Sequence, residues 1–151
     1  MLNILIPVDG SSHSLLAVNH AMRLVHSGLR AHFVVANVQE TATLYEMVVA
    51  HDPAVLEKVN AEAGHDLLRP AVALLEAAGQ KVEQVVATGD PANTLVDLLE
   101  THGCHAVIMA AGTGGGLRAA LLGSVTQHLV DHAPVPVTVV REPVPLSEDD
   151  E

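Results

Sequence analysis

The stretch Ala110-Ala111-Gly112-Thr113-Gly114-Gly115-Gly116, followed by Leu117 to Leu122 and then Gly123-Ser124-Val125, has the residue types most suited to chemistry in this 151-residue chain. Glycines let a backbone come close to an anion, and the first amides of a helix aim their hydrogens at it. Ser124 adds a hydroxyl donor at the second of these turns. Arg118 is the one cation nearby, so a phosphate held here rests mainly on backbone dipoles. The plainer alternative is a loop ahead of an ordinary capped helix. The segment is not a Walker loop, because no Gly-Lys-Ser/Thr occurs, and it is not a dinucleotide fingerprint, whose glycines follow the first strand. The first apolar run leads instead into Pro7-Val8-Asp9-Gly10-Ser11-Ser12. Asp9, at the carboxyl end of a strand, can accept from a ribose hydroxyl or an adenine amino group; its ordinary alternative is a turn-forming aspartate.

Other chemistry finds less support. His128 and His132 stand four apart on one helix face, and His102 and His105 flank Cys104. A zinc site needs three or four ligands, and nothing in sequence stands beside either pair to complete one, so no metal is expected. Cys104 has no adjacent base or resolving partner, which reads as a buried thiol. Asp9, Asp90 and Ser124 can converge, but no histidine is placed to activate the serine, so no catalytic residue is assigned.

Five short apolar runs position these residues: Leu2 to Val8, Ala31 to Val38, Val82 to Ala87, His105 to Met109, and Val135 to Val140. Their continuous apolar character predicts strands covered on both faces, as in a parallel sheet. Helical patterns lie between them. Ser11-Ser12 is read as the cap of a helix with Leu15, Val18, Met22 and Val25 on its inner face and Gly28 past its end. Asp52-Pro53 opens a long pattern ending at Gly79, in which Gly64 and Pro70 predict a kink or weak turn. Asp90-Pro91 opens another, stopped by Gly103, and a last helix runs from Gly123-Ser124 to before Pro134. The alternation implies a three-layer, doubly wound α/β domain of five parallel strands and four helices, with its ligand crevice beyond the strands' carboxyl ends. Gln39 to His51 is long and apolar for a connection and is expected to fold over that crevice. The domain is assigned to residues 1–141, and 142–151 reads as an acidic, disordered tail.

Composition narrows the function. Eighteen acids against seven basic residues give a net charge of −11, which argues against nucleic acid or anionic lipid as partner. Phe33 and Tyr45 are the only aromatic residues, so stacking platforms for bases are missing. A single cysteine excludes an internal disulfide. No charged leader precedes the first apolar run, and no run approaches the roughly 20 residues of a membrane span; a cytoplasmic protein is expected. The final strand is expected at a sheet edge, with Val135, Val137 and Val139 on one side as a homodimer interface.

Four separated motifs occur in order: Ile4-Leu5-Ile6-Pro7-Val8-Asp9-Gly10-Ser11, Gly89-Asp90-Pro91-Ala92, Leu121-Leu122-Gly123-Ser124-Val125-Thr126, and His132-Ala133-Pro134-Val135-Pro136-Val137-Thr138-Val139-Val140-Arg141. Together they resemble the universal stress proteins from end to end, apart from the acidic tail. The resemblance implies an adenine nucleotide alpha hydrolase-like fold, a two-fold dimer, and a role as a stress-response sensor or interaction module gated by ATP or AMP. It implies adenine and ribose contacts at Pro7, Val8, Asp9 and Val38, and phosphate contacts along Met109, Ala110, Gly112, Thr113, Gly114, Gly115, Gly116, Gly123, Ser124 and Val125. The family's phosphate motif reads Gly, two residues, Gly, nine residues, Gly, then Ser or Thr. Here Gly123-Ser124 matches, whereas the first two glycines fall on Ala110 and Thr113, where a side chain can block phosphate or resist a positive φ. A nucleotide-independent dimeric scaffold with an unknown protein partner is therefore the alternative, and a slow ATP hydrolase, with Asp9 as its one candidate metal carboxylate, is another.

Overall fold

The computed structural model describes residues 1–40, 53–112 and 123–142. Five strands, β1 (Leu2–Pro7), β2 (Ala31–Gln39), β3 (Val82–Thr88), β4 (Ala106–Ala110) and β5 (Val137–Val140), form one sheet in the order β3-β2-β1-β4-β5. Every neighbouring pair is parallel. Four helices, α1 (Leu15–His26), α2 (Pro53–Ala77), α3 (Pro91–Thr101) and α4 (Ser124–His132), supply the crossovers.

Strand alternation divides the apolar side chains between two cores. Ile4, Ile6, Phe33 and Val35 face α1 and α2, where Ala17, Val18, Ala21, Leu68 and Leu75 cover them. Leu5, Val34, Ala36 and Val107 face Leu95, Leu98 and Leu99 of α3 and Leu129 of α4. Coverage on both sides is what the unbroken apolar runs require.

Several local expectations change. α1 begins at Leu15, not after Ser12, because Ser11 to Ser14 form a tight turn of their own in which Ser11 Oγ accepts the Ser14 N–H at 3.2 Å. Its fully covered residues are Ala17, Val18 and Ala21, with Leu15, Met22 and Val25 half-buried, since small side chains bring the helix closest to the sheet. α2 continues through Pro70 as one helical element with the proline exposed, so no turn interrupts it there. β5 begins at Val137. Val135 lies before the strand, and both it and Val137 pack on their own chain's α3–α4 core, where burying them competes with any use on an outer surface. The other two helix starts match their sequence signals. Asp90 Oδ2 accepts the Asn93 N–H at 3.0 Å at the head of α3, and α4 opens at Ser124.

Candidate functional site

β1 stays paired with β2 as far as Pro7↔Ala36, but its register with β4 ends at Leu5↔Val107. The chain also reverses its winding between these two strands, since β2 and β3 lie on one side of β1 and β4 and β5 on the other. A cavity of about 390 Å³ opens at this point, at the carboxyl end of the sheet.

Residues far apart in sequence meet there. Pro7, Val8, Asp9, Val38, Met109, Ala110, Gly112, Gly123, Ser124 and Val125 all line the cavity. Thr113, Gly114, Gly115 and Gly116 lie outside the described residues, as does the connection from 41 to 52; Glu40, just before that connection, is at the cavity wall.

Asp9 is held by the turn that follows it. Partial burial alone would raise its carboxyl, but the Ser11 hydroxyl at 2.5 Å and the Ser11 N–H at 2.9 Å, helped by the Ser14 hydroxyl, hold it below the usual carboxylate range. Both Ser11 bonds fall on Oδ1, and a carboxylate has about four acceptor sites, so the group retains capacity to accept from a ligand hydroxyl. Gly10, at φ +88°, makes this turn in a region that an L side chain rarely enters.

Along β2, Val8 N–H donates to the Ala36 carbonyl at 2.8 Å and Gly89 N–H to the Gln39 carbonyl at 2.9 Å. Backbone groups of successive strand residues alternate between neighbours, so Val38 directs its N–H and C=O toward the β1 side, past the last paired residue of β1. A donor and an acceptor on one residue match the N1 and amino group on the edge of adenine. Asn37 supports this geometry from within: it is 3% exposed, its Nδ2 donates to the Val8 carbonyl at 2.9 Å, and its Oδ1 accepts from Gln39 at 2.5 Å.

Where the family's phosphate motif falls, Gly112 and Gly123 touch. A Cβ on Gly123 would lie 2.7 Å from Gly112 Cα, so the two ends of the 113–122 segment meet at backbone contact. Gly123 is also the N-cap of α4, which leaves the hydroxyl of Ser124, the first helical residue, free of any capping duty. Ala110 departs from the family glycine without strain. It ends β4 opposite Val140, and no described residue other than glycine has a positive φ.

Sequence reasoning missed Asn37 and His13. Asn37 carried a signal, one polar residue inside the apolar run of β2. His13 carried none: its Nε2 lies 2.5 Å from the Ala111 carbonyl oxygen, 98 residues away, and ties the start of α1 to the exit of β4. Asp90, considered with Asp9 and Ser124 as a group of the crevice, does not line the cavity, since its carboxylate caps α3. Cys104 is buried, and burial together with the charge of Glu83 pushes its thiol up, which removes thiolate character.

The fold and site define a doubly wound α/β domain with a ligand crevice at the switch between β1 and β4. Within that class the chain belongs to the universal stress protein family, whose family model matches residues 1–141. It is 28% identical over 140 residues to universal stress protein MJ0531 of Methanocaldococcus jannaschii, covering 93% of this chain and 82% of that protein. It is 32% identical over 142 residues to a putative universal stress protein of Staphylococcus aureus, covering 92% and 83%. Among solved structures it resembles MJ0577, with a TM-score of 0.75 and 25% identity over 95% of this chain and 98% of that one. Two more distant structures share the fold. A universal stress protein in complex with cAMP has a TM-score of 0.68 and 22% identity over 93% and 96% of the chains. An Arabidopsis thaliana family member with AMP bound has 0.69 and 18% over 95% and 94%.

Proposed function

We propose that this chain binds an adenine nucleotide, AMP or ATP, and acts in the cytoplasm as a stress-response sensor or interaction module rather than as an enzyme. The observation that carries the reading is the convergence of three groups on one cavity: the pinned Asp9 carboxylate, the Val38 backbone pair, and the Gly112–Gly123 contact beside Ser124. Adenine lies along Val38, ribose hydroxyls donate to the Asp9 carboxylate, and phosphate takes the first amides of α4 and the Ser124 hydroxyl. The relatives seen with cAMP and AMP support this ligand class. Two copies associate through the outer edge of β5, and occupancy of the crevice changes what a protein partner meets at its rim.

The test is to denature purified protein and identify what is released. AMP or ATP near one per chain supports the sensor. An empty protein that also gives no heat with added AMP or ATP supports the nucleotide-independent scaffold, which draws its support from Thr113 at a motif glycine and from two acids, Asp9 and Glu40, on the cavity wall. Steady phosphate release from ATP that disappears with Asp9→Ala is the result that favours a hydrolase.

A further inference from the structure

We propose that His13 makes this site selective for phosphorylated ligands by taking up a proton when phosphate seats against Gly112, Gly123 and Ser124. The inference rests on the nucleotide reading above and adds its charge chemistry. Among the described residues three titratable side chains line the cavity, Asp9, His13 and Glu40, and of these His13 is the one that can become a cation. None of the described lysines and arginines lines it, so a phosphate entering beside two carboxylates has one described side chain able to offset its charge. The groups facing His13 from the other elements at the cavity are Asp9 after β1 and Glu40 after β2, both acidic, whereas α3 and α4 contribute Pro91, Leu95, Ser124 and Thr126, all uncharged.

The geometry allows the proton to arrive without disturbing the site. A carbonyl only accepts, so the 2.5 Å contact with Ala111 requires the Nε2–H tautomer when the ring is neutral. The incoming proton therefore goes to Nδ1, and the tether to the residue preceding Gly112 persists in both states. That tether also covers the Ala111 oxygen, whose partial negative charge would otherwise face an arriving phosphate. Imidazole is the side chain that ordinarily changes charge near neutrality, so binding can draw the proton from buffer.

Calorimetry on the full chain at about pH 7.5, in two buffers of different ionisation enthalpy, counts the protons exchanged. AMP and adenosine, which differ by the phosphate, are the probes. The expected result is proton uptake with AMP and none with adenosine. His13→Gln, which keeps a donor for Ala111, reduces the uptake and lowers the preference for AMP over adenosine about tenfold, with adenosine affinity unchanged. The second ionisation of a phosphate lies at about pH 6 and rises beside carboxylates, so AMP can itself take up protons here, and the uptake assigned to His13 is the part that the glutamine variant loses. AMP bound without uptake, or uptake and preference both retained in the glutamine variant, overturns the role of His13 and leaves the nucleotide reading standing. No binding of either compound overturns both.

Discussion

Asp9 shows how much of this site is decided by a few atoms. Its carboxyl lies below the usual range because two donors of Ser11 and the Ser14 hydroxyl outweigh partial burial. A depressed carboxylate contributes stability that is complete above about pH 4 and lost as pH falls through its folded value. Asp9→Asn should therefore flatten the acid limb: between pH 5 and pH 3 the urea midpoint of the variant falls less than that of the native chain, read by circular dichroism. Gly123 gives a different kind of prediction. Its φ of −64° suits any residue, so the objection to a side chain is space alone: a Cβ would press on the backbone of Gly112 at 2.7 Å. Gly123→Ala should weaken AMP binding by about tenfold or more, equivalent to about 1.4 kcal/mol, because it separates the two ends of the phosphate segment. The melting temperature should also fall somewhat, since backbone and not a flexible side chain must give way.

At the scale of elements, the helix starts set where the cavity walls stand. Asp90 fixes the head of α3, whose Pro91 and Leu95 face the cavity. Asp90→Ala leaves the Asn93 N–H without its acceptor and should cost about 1 kcal/mol, seen as a lower urea midpoint. Pro70 in α2 runs the other way. It removes one helical hydrogen bond at an exposed position, and alanine is favoured there by about 3 kcal/mol, offset by about 0.4–1 kcal/mol of added freedom in the unfolded chain and by the existing accommodation of the ring. Pro70→Ala should raise stability by about 1–2 kcal/mol in the same measurement.

The whole molecule has two edges, and they differ. β3 presents exposed Glu83 and Gln84, polar groups that discourage pairing, whereas β5 is short, with exposed Thr138 between half-buried valines. With Val135 and Val137 packed inward, the proposed dimer relies on the backbone edge of β5 and on Val139 more than on a wide apolar face. Sedimentation should give the mass of two chains. In the proposed β5-to-β5 dimer, Thr138→Lys would bring like charges together, so this variant should give the mass of one chain, with unchanged far-ultraviolet circular dichroism because the side chain is exposed.

Local physics was enough to read the elements. Unbroken apolar runs, Asp90-Pro91, Gly123-Ser124 and the glycine stops mark five strands and four helices, because strand burial, caps and turns depend on residues a few positions apart. Asp9 and Gly123-Ser124 stand in motifs of adjacent positions, Val38 was named through the family resemblance, and all of them line the cavity. Tertiary structure alone decided how those motifs combine. The contact of His13 with Ala111 spans 98 residues, that of Asn37 with Val8 spans 29, and Gly112 meets Gly123 only because β4 and α4 converge there. Contacts of this kind are made by the packing of one crossover against another, and no spacing along the chain encodes them. The same holds for Val135 and Val137, whose spacing puts them on a common side of the sheet but whose covering by α3 and α4 depends on how the sheet is wrapped.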